Sequence, residues 1–322
     1  MGIVTSNTHT SRFTRRHRGA AAVALAAATA LLAGCSSSDN TSGDPLKGGK
    51  ASGDTVVVGS NNFAESILIA DIYGEALKAK GIKVTYKPNI GSRETTYGLL
   101  KNGSISVLPE YNGALLAYLD SKSVPKTVAE TTSAIEAKLD PKLTLLDPSA
   151  AQDKDSVTLN AATAKKYGLT DKSSIADLKG IAKDLVIGGS PEFQTRYQGL
   201  EGLKSVYGLQ FKSFKALDAG GPLTEAALTK NTVQAADVFT TDPTISKEKF
   251  VVLQDTQNLF GFANVQPLVY KSALSQKGVD ALNAVSAKLD TATLLNLDTQ
   301  VQSESKDPLN VAKAWLSSAG LG

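Results

Sequence analysis

Thr55-Val56-Val57-Val58-Gly59-Ser60-Asn61-Asn62 is the stretch that decides the fold class. Its β-branched start runs through three consecutive valines without apolar–polar alternation, so it reads as a buried strand. The polar loop Ser60-Asn61-Asn62 ends it. Ile67, Leu68, Ile72, Tyr73, Ala76 and Leu77 then recur at helical spacing as far as Gly81. Asn62 with Glu65 three residues on has the spacing of a capping box. The unit is therefore strand, polar loop, helix.

Outward from this unit the same alternation continues. Residues 84–87 and 105–108 read as strands around a helix at 95–101, which Asn102-Gly103 stops. The pattern restarts with strands at 157–159, 185–188, 235–239, 251–253 and 265–270. Helices are expected at 161–167, 174–180, 199–207 and 222–230, the last with Pro222 in its first turn. Two more follow at 276–289 and 291–303, and a final one contains Trp315. Strands alternating with helices imply a parallel sheet flanked by helices. The restart implies two α/β lobes with a cleft between them.

The N-terminal segment has a different character. Arg12, Arg15, Arg16 and Arg18 form a basic region without acids, followed by an alanine-rich apolar run over 19–33. That run has the length of a signal peptide and is too short for a bilayer-spanning helix. Leu32-Ala33-Gly34-Cys35 is the pattern a lipoprotein signal peptidase cleaves, and Cys35 is the only cysteine. Residues 1–34 are expected to be removed and Cys35 to be lipidated, anchoring the chain to the outer face of the cell membrane. The plainer alternative is an ordinary signal peptide with a chance cysteine. Arg15-Arg16 lacks the apolar residues that follow a twin-arginine pair. Residues 35–54 are mostly Ser, Gly, Asp, Lys and Thr and read as a flexible tether.

Cleavage removes four arginines and no acids, so the formal charge passes from +3 to −1. The basic precursor thus gives no reason to expect a nucleic-acid partner. Both histidines, His9 and His17, leave with the signal, and lipidation consumes the thiol. The mature chain lacks the commonest general base and metal ligand and the cysteine nucleophile. No metal or cofactor is expected, and catalysis would have to rest on carboxylates or on serine with lysine.

Informative residues cluster in loops at strand ends, where open α/β sheets collect ligands. These are Ser60-Asn61-Asn62, Pro109-Glu110-Tyr111-Asn112-Gly113, Ser190-Pro191-Glu192-Phe193 and Thr240-Thr241-Asp242. Each also has a purely structural reading. Asn62 caps a helix, Tyr111 packs in the core, Arg196 pairs with Glu192 four residues earlier, and Asp242 starts a turn. By residue chemistry alone the chain is a lipid-anchored, two-lobed binding protein.

The stretch 59–65, Gly-Ser-Asn-Asn-Phe-Ala-Glu, resembles the G-S-K-N-F-T-E opening of the glycine betaine, choline and carnitine binding proteins of osmoprotectant ABC importers. The stretch 104–113 resembles that family's I-D-x-x-P-E-Y-T-G. Residues 191–196, Tyr207-Gly208-Leu209 and 239–242 also match in order. The resemblance implies a type II periplasmic-binding-protein fold with two hinge crossovers, and a cleft that closes on ligand. It places lobe one at 55–154 plus 264–322 and lobe two at 155–263. The chain would act as a monomer, handing a small solute to a membrane permease.

The family holds trimethylammonium in a cage of tyrosines and the carboxylate with an arginine. On this sequence one cage position matches Tyr111, and the others fall on Ser156, Phe239 and Ala263. The acidic position facing the cation falls on Lys154, the lysine of the opening motif on Asn61, and the carboxylate-holding arginine on Arg196. Asn62, Asn112, Thr240 and Thr241 complete the expected ligand-binding set. Tyr97, Tyr197, Phe193, Phe260 and Phe262 are candidates for a rebuilt cage. The main reading is a glycine betaine, choline or carnitine receptor. The alternative is the same scaffold with a pocket for an uncharged aromatic or polyhydroxylated molecule.

Overall fold

The computed structural model describes residues 55–322. The expected signal peptide, Cys35 and the expected tether lie outside the described residues. The chain begins with β1 (Thr55–Gly59), α1 (Ala64–Ala79), β2 (Lys83–Lys87), α2 (Arg93–Lys101) and β3 (Val107–Tyr111). It continues through α3 (Asn112–Leu119), α4 (Val128–Glu136) and β4 (Leu143–Leu145). It then enters a second sheet with β5 (Val157–Leu159), α5 (Ala161–Tyr167), β6 (Val186–Gly189), α6 (Gly202–Tyr207) and β7 (Ser213–Ala216). That part ends with α7 (Pro222–Thr229), β8 (Ala235–Asp237), α8 (Thr244–Lys247) and β9 (Val251–Val252). The chain returns through β10 (Val265–Tyr270) and closes with α9 (Gln276–Ser286), α10 (Thr291–Asp298) and α11 (Pro308–Ser318).

The first sheet has the order β2-β1-β3-β10-β4 and the second β7-β6-β8-β5-β9. Each is parallel on one side only. β10 runs antiparallel to β3 and β4, and β5 antiparallel to β8 and β9. The expected all-parallel sheet is thus mixed, because the strand entering or leaving each lobe pairs in the opposite sense.

α1 is the spine of the first lobe. Leu68, Ile69, Ile72, Tyr73 and Leu77 are fully buried, packed against β1 and the C-terminal helices. Each such aliphatic side chain contributes about 1.5–3 kcal/mol relative to exposure. The helix stops where Gly81 takes φ +75°, with its N–H donating to Lys78 O at 2.8 Å and Ile82 N–H to Leu77 O at 3.1 Å. Its start differs from the expected capping box. The N-cap position is Phe63, no side chain caps it, and Glu65 turns inward instead.

β3 also differs. It runs to Tyr111, so Pro109 and Glu110 are strand residues rather than loop. Pro109 sits opposite Pro267 of β10, which confines the two missing N–H donors to one rung.

Two chain crossings join the sheets, one between β4 and β5 and one between β9 and β10. They run side by side as a short antiparallel ribbon. Gln152 bridges Asn264, Asp153 N–H donates to Ala263 O at 3.0 Å, and Val265 N–H to Ala151 O at 3.0 Å. α3 starts hard against it, since a Cβ on Gly113 would lie 1.7 Å from Phe262 O.

Candidate functional site

The ribbon forms the floor of a cavity of about 60 Å³ between the lobes. Lobe one contributes Asn61, Asn62 and Phe63 from the β1–α1 loop, Arg93 from the start of α2, and Tyr111 from the end of β3. The second sheet contributes Asp237 and Phe239 from the end of β8, and Glu192 and Arg196 from the segment after β6. Asp153, Asp155 and Ala263 come from the crossings. Side chains converge here because strand ends from both sheets point at one gap.

Three aromatic rings line one side. Phe63 packs on Phe239 with centroids 4.9 Å apart and on Tyr111 at 5.9 Å. Phe260 adds a fourth lining ring. Tyr111 is buried, and its hydroxyl donates to Glu65 Oε1 at 2.5 Å. Thr241 Oγ1 donates to the other oxygen of Glu65 at 2.6 Å, so one carboxyl joins β3 to the loop after β8. Burial, then the neighbouring Asp298, push the Glu65 carboxyl well above the usual range. Burial also raises Asp298, to about 7.

The wall also carries acids. Asp153 is buried and accepts from Thr241 N at 3.1 Å and Thr240 Oγ1 at 3.3 Å. Asp155 and Asp237 both line the cavity, and each feels the other's charge. Burial raises both carboxyls; Asp155 raises Asp237 further, while Arg196 pulls each back down. Asp237 is 4% exposed, and its Oδ1 has no hydrogen-bond partner among the described residues.

Both guanidiniums in the wall are already paired. Arg93 Nε lies 3.1 and 3.0 Å from the two oxygens of the buried Glu110, and its Nη2 lies 3.0 Å from Oε2. Arg196 reaches across the cleft to Glu94 of α2 in a two-pronged contact, Nε to Oε1 at 3.0 Å and Nη2 to Oε2 at 2.8 Å. Against the desolvation it suffers, that contact holds the Glu94 carboxyl down at about 2. The partner of Arg196 is therefore Glu94, not the local Glu192.

Of the residues singled out from sequence, Asn61, Asn62, Tyr111, Ser190, Glu192, Arg196, Phe239, Phe260 and Ala263 come together in the cavity wall. Asn61 is buried and its Oδ1 accepts from Thr96 Oγ1 at 2.8 Å. The others serve the frame around it. Asn112 and Asn264 exchange bonds, N–H to Oδ1 at 2.9 Å and N–H to O at 3.1 Å, which pins the ribbon. Ser156 donates to Val238 O at 2.6 Å. Lys154 and Thr240 bond backbone and hydroxyl to each other, and Lys154 Nζ lies 6.0 Å over the Phe262 ring. Thr241 acts through Glu65 and Asp153. Phe63, Arg93, Asp153, Asp155 and Asp237 line the cavity without having been singled out. Two signals for them were present: an acid inside the apolar strand run 235–239, and a second acid beside Lys154.

Two mixed sheets joined by a double crossing, with a polar and aromatic cavity at the joint, make this a receptor of the type II periplasmic-binding-protein fold. Residues 54–318 match the family model described as the substrate binding domain of ABC-type glycine betaine transport systems, and the chain belongs to that family. It is 26% identical to a glycine-betaine-binding protein of Pseudomonas aeruginosa over 83% of this chain and 89% of that one. It is 27% identical to the glycine betaine-binding protein YehZ of Escherichia coli, over 82% of this chain and 90% of that one. Among solved structures it resembles a glycine betaine/carnitine/choline ABC transporter protein with a TM-score of 0.65 and 23% identity. That likeness covers 83% of this chain and 99% of the other.

Proposed function

We propose that the chain is the extracytoplasmic solute receptor of an ABC importer, capturing a compatible solute of the glycine betaine, choline and carnitine class between its lobes. One observation carries this reading: the Phe63–Phe239–Tyr111 rings and the Asp155–Asp237 pair share one small cavity. Ring faces attract a desolvated cation by about 0.5–2 kcal/mol each, and carboxylates neutralise its charge. A cavity of about 60 Å³ has room for roughly four to six water-sized groups at ~10–15 Å³ each, the size of a trimethylammonium head. An acidic wall disfavours the uncharged aromatic or polyhydroxylated ligand. The family's role in transport supports a binding protein rather than an enzyme.

On this reading lobe one is 55–154 plus 264–322 and lobe two is 155–263, closing as a monomer about the ribbon. Asn61, Asn62, Tyr111, Phe239 and Ala263 contact the solute. Cleavage before Cys35 and lipidation of its thiol hold the receptor on the membrane beside its permease. Calorimetric titration with choline, glycine betaine and carnitine tests the reading. Heat that saturates at or below millimolar ligand is expected, and no heat with any of the three sinks it. Loss of membrane attachment in Cys35→Ser tests the anchor.

A further inference from the structure

The two guanidiniums and four carboxyls of the cavity wall do not match a zwitterion. Arg93 is spent on Glu110 within lobe one. Arg196 presents the Nε–Nη2 edge of its fork to Glu94, the geometry a ligand carboxylate would otherwise take. The wall carboxyls without an ion-pair partner among the described residues are Asp153, Asp155, Asp237 and Glu192. Asp237 is buried there with an oxygen that nothing among the described residues bonds. A buried carboxylate left that way is costly until a cation reaches it.

We infer that Glu94 is a specificity-determining residue: it fills the carboxylate position on Arg196 from within the protein, and so matches the cleft to an organic cation that has no carboxylate of its own. This deepens the reading proposed above and rests on it. The ligand class is a quaternary ammonium alcohol, with the ammonium against Asp155 and Asp237. A betaine entering the same cleft must either displace Glu94 from Arg196 or set its own carboxylate against an ion pair that is already neutral. Glu94 and Arg196 belong to different lobes, so the pair also closes the cleft over a ligand that leaves it intact.

The probes are choline and glycine betaine, which share the trimethylammonium group and differ at the other end. Titration calorimetry on the full-length protein gives the ratio of their affinities. The expected ratio favours choline at least tenfold. Glu94→Gln removes the internal anion, and the ratio should then move at least tenfold toward glycine betaine. Arg196→Gln should not penalise glycine betaine selectively, and this second variant keeps the test open if Glu94→Gln does not fold. Equal affinity in the unaltered protein, an unmoved ratio in Glu94→Gln, or a selective loss of glycine betaine in Arg196→Gln overturns the inference. These three outcomes leave the receptor reading standing. Failure to bind either probe refutes that reading and the inference with it.

Discussion

Two arginine–glutamate pairs meet at adjacent residues of α2, Arg93 and Glu94, and do different work. Arg93 and Glu110 lie within the first lobe, with side chains 10% and 0% exposed. Arg196 and Glu94 span the cleft and are 31% and 41% exposed. Bond geometry hardly distinguishes them, since both are two-pronged with contacts near 3 Å. Their surroundings do. A buried pair cannot lose one member without stranding the other in a medium of low dielectric, whereas water covers for a missing partner at the mouth. The same chemistry is scaffold in one place and a fastening that can be released in the other.

The contrast is broken most directly at the buried end. Arg93→Ala or Glu110→Ala should lower unfolding free energy by about 3–5 kcal/mol, read by urea denaturation. A loss comparable to that at the cleft mouth would erase the distinction. Asp237 comes next. Asp237→Asn should weaken choline binding at least tenfold while raising the melting temperature of the ligand-free protein near neutral pH. The gain follows from linkage. A carboxyl raised in the folded state binds protons there that the unfolded chain has released. Its contribution to stability is therefore lost as pH rises above the ordinary value of 3.8 toward the raised one. The groups facing the pair are Arg93 and Arg196, which lower it, and Asp153, which raises it. A cationic ligand favours the ionised pair, so binding should release protons and tighten as pH rises through the raised range of these carboxyls. Calorimetry in buffers of different ionisation enthalpy checks both.

Phe63 sharpens the contrast in apolar terms, because it too meets the other lobe, through Phe239. Phe63→Ala should cost about 0.5–2 kcal/mol in choline affinity by titration. The smallest effect belongs to the cleft mouth itself. Glu94→Ala should change ligand-free stability by no more than about 1 kcal/mol, and added salt should shrink even that. A larger loss in a thermal melt would make the pair scaffold after all.

Much of the fold could be read from period and punctuation. β1 and α1, most strands and the C-terminal helices follow from apolar runs and from stops at Gly81 and Gly208; β4 and the largely exposed β7 do not. What was illegible depended on pairing across long separations. β3 continues through Pro109 to Tyr111 only because β10, more than a hundred residues on, lies against it. α3 and α4 begin in sequence that reads as loop. At the site the difficulty was finer. Lys154 and Asp155 are neighbours in extended chain, and such neighbours point to opposite sides. A one-residue ambiguity in matching therefore exchanges a lysine for an aspartate in the cavity wall. Asp237 reads as part of a strand, although an acid amid Ala235, Ala236 and Val238 is hard to bury without a purpose. Arg196 is legible in the sequence, but its partner is not, because Glu94 lies 102 residues earlier in the chain.

The paired crossings at the cavity floor have the form of a leaf spring. A two-stranded ribbon bends and twists across its face more readily than it slides along its length, because sliding breaks its rungs. Any change of angle between the sheets would therefore pivot there. Asp153 and Ala263 are themselves a rung of that ribbon, joined N–H to O at 3.0 Å, and would stay almost in place. Glu94 and Arg196, the more exposed pair at the mouth, would be the first to part.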